Sequence, residues 1–142
     1  MRHVCITPGS RSTPLTVAFA EQDVIRPWLH LDERSSAFFA LGIAKATGQP
    51  VALVCTSGTA SANYFPAVAE ANLARVPLIV LTTDRPPRLR NVGAPQTIDQ
   101  LEIYGRHARL SLDLPVPDDK EPTQTVDLAA QAVEAAMGPV RG

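Results

Sequence analysis

The sequence predicts an α/β fold in three layers, a parallel β-sheet with helices on both of its faces. Two patterns support this prediction. Four short apolar runs alternate with longer segments whose apolar residues recur at helical spacing. The four runs are apolar at almost every position, which is typical of parallel strands buried on both faces. The chain has 142 residues, a usual length for one domain, so we assign residues 1–142 to a single domain.

The first strand–helix pair lies near the amino terminus. Strand one is predicted over Val4–Thr7, because the apolar run there ends at a Pro-Gly pair. The next helix begins at Ser12 or Thr13, since Pro14 then falls in its first turn, where a missing N–H breaks no hydrogen bond. Strand two is predicted over Trp28–Leu31.

The middle of the chain repeats this pattern. Asp32 opens the second helix, and Gly48 is the left-handed residue expected at its end. Strand three is predicted over Val51–Cys55. An alanine-rich helix follows over residues 56–75, in which Pro66 either kinks the helix or marks the first turn of its main part.

The last third begins with the strongest β signal of the chain, Leu78–Thr82, which is predicted as strand four. Residues 86–104 form a long loop with a short helix over Gln96–Leu101, and loops of this length usually have a function. His107–Leu114 alternates weakly and is a candidate late strand. The final helix is predicted over Gln124–Met137.

Composition excludes several classes of protein. With 13 basic and 14 acidic residues, the net charge of -1 lacks the basic excess of a nucleic-acid-binding protein. No stretch reaches the ~18 apolar residues of a membrane span, so we expect a soluble, cytoplasmic protein. Cys5 and Cys55 each lie inside an apolar run, and we predict that both are reduced and buried.

Ligands of parallel sheets bind beyond the carboxyl ends of the strands. Four segments follow the predicted strands there, at residues 8–13, 32–34, 56–59 and 84–86. The first and third are glycine-and-hydroxyl turns, which either bind an anion or flat polar ring through backbone N–H groups or only cap the next helix. Neither is a phosphate-binding loop, because no Gly-Lys-Ser/Thr ends it.

Two charged residues at this edge have a structural and a functional interpretation. Glu33, in the first turn of the second helix, either complements the helix dipole or faces a ligand. Arg11 stands near a helix start and opposes the dipole. It therefore indicates an anionic partner such as a substrate carboxylate, unless its side chain extends into solvent.

A resemblance to a known family rests on five motifs in matching order, namely residues 7–15 (TPGSRSTPL), 32–34 (DER), 56–63 (TSGTA with Ala62-Asn63), 76–87 (VPLIVL with DRPP) and 93–96 (GAPQ). Over residues 4–104 the chain resembles the amino-terminal domain of the 2-succinyl-5-enolpyruvyl-6-hydroxy-3-cyclohexene-1-carboxylate synthases, thiamine-diphosphate enzymes of menaquinone biosynthesis. Residues 105–142 match only in outline.

The resemblance implies a domain that binds the aminopyrimidine ring of thiamine diphosphate. Glu33 matches the family's catalytic glutamate, which hydrogen-bonds the pyrimidine N1′ and favours the imino tautomer that removes the thiazolium C2 proton. A side chain at Gly58 would crowd the ring. The implied cofactor-binding residues are Pro8, Glu33, Thr56, Ser57 and Gly58, and the implied substrate-binding residues are Ser10, Arg11 and Gln96. The family's reaction decarboxylates 2-oxoglutarate and adds the succinyl carbanion to isochorismate.

The chain also departs from the family. Pro95 stands where the family commonly has Asn, and the usual helix ahead of strand one is missing. Nothing resembles the middle domain or the Gly-Asp-Gly to Asn-Asn motif that holds Mg²⁺ and diphosphate, so we expect no metal ligand in this chain and no activity from the chain alone. In the superfamily the diphosphate-binding domain belongs to a neighbouring subunit, which implies a homo-oligomer.

Two other functions remain open on the residues alone. One is a flavodoxin-like module that binds a phosphate or nucleotide at the two hydroxyl turns. The other is an oligomerisation domain without catalysis, in which Glu33 is only an acid at a helix start.

Overall fold

The structure, a computed structural model, describes residues 1–115 and 122–138. Within them the strands are β1 (His3–Ile6), β2 (Arg26–Leu29), β3 (Val51–Cys55) and β4 (Leu78–Thr82). The helices are α1 (Thr13–Ala20), α2 (Glu33–Thr47), α3 (Thr59–Asn63), α4 (Phe65–Ala74) and α5 (Pro122–Met137), with 3-10 turns at Ser10–Ser12, Pro87–Leu89 and Gly105–His107. The strands form one parallel sheet in the order β2-β1-β3-β4. This confirms the predicted α/β class.

The register of the sheet brings the carboxyl ends of its strands together. Ile6 of β1 lies opposite Leu29 of β2 and Val54 of β3, and Cys55 of β3 lies opposite Thr82 of β4. The segments that follow the four strands therefore meet at one edge of the sheet. This edge is where a parallel α/β sheet places its ligand site.

Apolar side chains cover both faces of the sheet. On one face, small residues of α2 and α4 pack against β3 in a cluster that includes the fully buried Tyr64. The Tyr64 hydroxyl donates a hydrogen bond to the Val54 carbonyl at 2.9 Å, so its burial leaves no polar group unpaired. On the other face, Leu15 and Phe19 of α1 pack against Val4 and its neighbours. The predicted three layers are confirmed.

Two strands begin earlier than predicted. The Arg26 N–H donates to the Arg2 carbonyl at 2.9 Å, so the pairing of β2 with β1 starts before the apolar run. β2 is also an edge strand, and Leu29 is 72% exposed instead of buried. β1 was predicted over Val4–Thr7 and spans His3–Ile6. β2 was predicted over Trp28–Leu31 and spans Arg26–Leu29. Strands β3 and β4 have the predicted bounds.

The helix predicted over residues 56–75 is two helices, α3 and α4, which meet at Tyr64. Pro66 lies in the first turn of α4, where its missing N–H breaks no helical bond. Of its two predicted roles, the first-turn role is the correct one. The last helix begins at Pro122, two residues before the predicted start, and ends at Met137 as predicted.

Residues 83–115 contain no α-helix and no strand. The helix predicted over Gln96–Leu101 and the strand predicted over His107–Leu114 are therefore wrong. Side-chain hydrogen bonds stabilise this segment, which has no β-sheet pairing. The Arg90 guanidinium donates two hydrogen bonds to the Asp113 carboxylate, at 2.8 and 2.9 Å, in the bidentate geometry that arginine favours.

Cys5 and Cys55 are free and fully buried, as predicted. Burial raises the pKa of each thiol to about 12, so both remain protonated and unreactive at neutral pH. We expect a thiol reagent at neutral pH to label neither cysteine of the folded chain, and to label both in denaturant. Mass spectrometry of the labelled chain measures this. Rapid labelling of either cysteine in the folded chain would contradict the buried placement.

Candidate functional site

Glu33 is the first residue of α2, at the carboxyl edge of the sheet. The helix is capped by Asp32, whose carboxylate accepts hydrogen bonds from the Ser35 hydroxyl at 2.6 Å and the Ser35 N–H at 2.8 Å. These bonds lower the pKa of Asp32 below its ordinary value. Glu33 is therefore not needed as the cap. Its half-buried carboxylate has no hydrogen-bond or ion-pair partner within residues 1–115 and 122–138.

The Glu33 carboxylate lies within electrostatic range of the end of β3. Burial is the largest cause of the raised pKa of the Cys55 thiol. A hydrogen bond with Tyr64 lowers this pKa, and the negative charge of Glu33 raises it further. Cys55 is the last residue of β3 and directly precedes the turn at residues 56–58. Glu33 and this turn, both predicted as cofactor-binding, therefore belong to one region of the sheet edge.

The turns after β1 and β3 pack against each other without space between them. A Cβ atom added to Gly9 would lie 2.3 Å from the Cβ of Thr56, which is too close for two non-bonded carbon atoms. The Ser12 hydroxyl donates to the Gly9 carbonyl at 2.9 Å and closes the first turn. Pro8 and Ser10, on the same turn, are exposed.

Three of the predicted residues form one hydrogen-bond network. A single nitrogen of Arg11, Nη1, donates to Ser57 Oγ at 2.9 Å and to Gln96 Oε1 at 3.2 Å. Ser57 Oγ in turn donates to the Gln96 carbonyl at 2.7 Å. Ser57 is fully buried and its hydroxyl is used both as donor and as acceptor, so its side chain supports its neighbours. Arg11 does not extend freely into solvent.

The conformation of the turn after β3 depends on Gly58. Its φ of 79° lies in the left-handed region, and a Cβ there would lie 3.1 Å from atoms of Gln96. A side chain at Gly58 would therefore crowd Gln96. Whether a cofactor ring also lies against Gly58 remains a prediction, as do the roles of the other site residues.

Two residues near the site were given no role from the sequence, although Arg85 lies in the segment 84–86 that was expected at this edge. Arg85 follows β4 and donates from Nη2 to the Pro95 carbonyl at 2.9 Å, while its buried Nε has no partner in the described part of the chain. Its position after a strand was a usable signal. Gln100 accepts a hydrogen bond from the Gly58 N–H at 2.7 Å, and no sequence pattern indicates this contact.

Within residues 1–115 and 122–138, no group of three or more His, Cys, Asp or Glu side chains is arranged to hold a metal ion. No helix there is both long enough and apolar enough to cross a membrane.

Comparison with known proteins decides the family. The family model described as "Thiamine pyrophosphate enzyme, N-terminal TPP binding domain" matches residues 1–103. The chain belongs to this family. Thiamine pyrophosphate is the same compound as thiamine diphosphate, so the match supports the predicted cofactor for this thiamine-pyrophosphate enzyme domain.

Curated relatives of this thiamine-pyrophosphate enzyme domain share the name 2-succinyl-5-enolpyruvyl-6-hydroxy-3-cyclohexene-1-carboxylate synthase. The chain is 63% identical to the protein from Chloroflexus aurantiacus over 118 residues, which are 83% of the chain and 20% of the relative. It is 54% identical to the Roseiflexus castenholzii protein over 146 residues, 100% of the chain and 25% of the relative. The chain spans about a quarter of the length of such relatives. These matches confirm the resemblance.

Proposed function

We propose that the chain is the pyrimidine-binding domain, residues 1–142, of a 2-succinyl-5-enolpyruvyl-6-hydroxy-3-cyclohexene-1-carboxylate synthase. The observation that supports this most is the state of Glu33. A half-buried carboxylate at the carboxyl edge of the sheet, left without a partner while Asp32 caps the helix, is available to a ligand. The name shared by the relatives agrees with this proposal.

The residues at the sheet edge fit the aminopyrimidine ring. The Glu33 carboxylate is an acceptor that can hold a proton at the pyrimidine N1′, which is the role of a general acid–base group. Pro8 is exposed on the turn after β1, while Thr56, Ser57 and Gly58 are buried in the turn after β3. When bound, thiamine diphosphate supplies a thiazolium C2 that can act as a nucleophile toward a 2-oxo acid.

The substrate side carries donors for carboxylates. Arg11 is held by Ser57 and Gln96 with its guanidinium half-buried, a geometry that saves the entropy of ordering a long side chain when an anion binds. Ser10 is exposed beside it, and Gln96 adds an amide. We propose that these groups bind carboxylates of 2-oxoglutarate and isochorismate.

The remaining parts of the proposed enzyme lie outside this chain. Mg²⁺ and the diphosphate are held by a second domain from a neighbouring subunit, in a homo-oligomer located in the cytoplasm. The chain alone therefore binds thiamine diphosphate weakly and has no synthase activity, because most charge-assisted contacts to the diphosphate are missing.

The hydrogen bonds of the turn after β3 weaken the phosphate-binding alternative. It needs the donors of the turn at residues 56–59, yet the Gly58 N–H is bonded to Gln100 and the Ser57 hydroxyl donates to Gln96. In an oligomerisation domain without catalysis, Glu33 would only complement the helix dipole. The two alternatives make different predictions in the experiment below.

The proposed function is tested with a chimera in which residues 1–138 replace the matching segment of the Roseiflexus castenholzii synthase. We expect the chimera to release CO₂ from 2-oxoglutarate and to form product with isochorismate only when thiamine diphosphate and Mg²⁺ are present. The chain alone serves as the control and should form no product. A folded chimera that is inactive toward both substrates would contradict the proposal, and tight nucleotide binding by the chain alone would favour the phosphate-binding module.

A further inference from the structure

Gln100 joins the ends of two neighbouring strands through one side-chain amide. Its Oε1 accepts a hydrogen bond from the Gly58 N–H at 2.7 Å, and its Nε2 donates to the Thr83 carbonyl at 3.2 Å. Gly58 belongs to the turn after β3, and Thr83 follows the last residue of β4. The backbone pairing of β3 with β4 ends with the bond from the Thr83 N–H to the Cys55 carbonyl, and the Gln100 amide joins the two segments beyond it.

The turn after β3 needs such a contact. Gly58 is buried, and a buried N–H without a partner costs about as much as a lost hydrogen bond. Its backbone, with φ 79° and ψ −142°, is a conformation open mainly to glycine, the residue that also loses most freedom on folding. A hydrogen bond from outside the turn therefore has a direct effect on which conformation the turn adopts.

A second contact from the same loop acts on the same turn. The Gln96 carbonyl accepts a hydrogen bond from the Ser57 hydroxyl. Gln96 lies four residues before Gln100 in the same loop, and Ser57 directly precedes Gly58 in the turn. Gln96 itself has a φ of 58°, which is unusual for a residue with a side chain. The loop is therefore held in an uncommon conformation in which both glutamines reach the turn.

We infer that Gln100 is a positioning residue that fixes the Gly58 turn in the shape required to bind the pyrimidine ring. This inference rests on the proposed function. Gln100 needs no contact with the cofactor, because it acts through the Gly58 backbone. The neighbouring Ser57 holds Arg11, so the same turn also connects the cofactor side of the site to the substrate side.

The test compares three variants. Gln100→Met keeps the length of the side chain and removes both hydrogen bonds. Gln100→Glu keeps the acceptor for the Gly58 N–H and serves as the conservative rescue. Gln49→Met is the matched control, since Gln49 is exposed and precedes β3 at the opposite edge of the sheet.

The first measurement uses the 142-residue chain without cofactor. In Gln100→Met, amide hydrogen exchange of Gly58 should become about tenfold faster, as expected for the loss of one buried hydrogen bond. Exchange of Leu53 in the core of β3 should not change, and Gln100→Glu should restore the protection of Gly58. Unchanged Gly58 exchange in Gln100→Met would overturn the inference. Should that variant not fold, loss of Gly58 protection in Gln100→Glu would overturn it.

The second measurement uses the chimera. Gln100→Met should raise the Kd of thiamine diphosphate about tenfold, while turnover at saturating cofactor stays within about twofold of the parent, a split that general destabilisation does not produce. An unchanged Kd would overturn the positioning role even if Gly58 exchange is faster. A parent chimera that does not bind thiamine diphosphate would instead show that the proposed function itself is wrong.

Discussion

Replacing Glu33 by glutamine in the chimera is expected to slow hydrogen–deuterium exchange at C2 of bound thiamine diphosphate by ~10²–10⁴-fold, the range typical of a lost acid–base group. The amide occupies nearly the same volume as the carboxylate, but it cannot hold a proton in common with the pyrimidine N1′. Folding should change little, because Asp32 and not Glu33 caps α2.

The exchange measurement is made at saturating cofactor, so that weaker binding is not mistaken for slower proton transfer. Glu70→Gln is the matched control, since Glu70 is exposed on α4 and should leave exchange at the parent rate. If Glu33 only complements the helix dipole, its replacement costs less than about 1 kcal/mol of stability and leaves exchange unchanged. Equal exchange rates in parent and variant would remove Glu33 from the mechanism.

The second large effect is expected from Gly9→Ala, which should lower the free energy of unfolding by about 3 kcal/mol, the upper part of the range for an overpacked core. The cause is steric and not conformational. The φ of Gly9 is −173°, which any residue adopts, but the added Cβ would lie 2.3 Å from Thr56 Cβ. Either the turn after β1 or the turn after β3 must move.

Denaturant unfolding of the chain measures this change, and Gly42→Ala is its control. An added Cβ at Gly42, inside α2, meets no atom within 4 Å, so alanine there should stabilise the chain by about 0.5–1 kcal/mol. Thr56→Gly removes the clashing atom, and the double variant should therefore lose less stability than the two single changes added together. Additive losses would show that Gly9 and Thr56 are not in contact.

The strands show which part of the fold a sequence can predict. β3 and β4 have the predicted bounds because they are apolar throughout and end where the chain turns polar. β2 was misplaced because it lies at the sheet edge, where its start depends on pairing between Arg26 and Arg2. An apolar run identifies a buried strand well and an edge strand poorly.

The site shows a similar division. The motifs placed Glu33 and Arg11 at the correct edge, since each lies within a few residues of a strand end. The contacts of Gln100 were not predictable, because it lies in a loop and its partners are distant in sequence. The short helix predicted over Gln96–Leu101 failed for the same reason, as tertiary hydrogen bonds replace the local ones.

The outer edge of β2 has a consequence for how the chain behaves at high concentration. The N–H groups of Arg26 and His30 both point toward β1, so by alternation those of residues 27 and 29 point away from the sheet. Residue 27 is proline, which has no N–H to offer. The outer edge beside the exposed Leu29 therefore lacks a regular row of N–H donors, so another strand would pair with it poorly. The proline therefore disfavours the addition of a further strand at this edge.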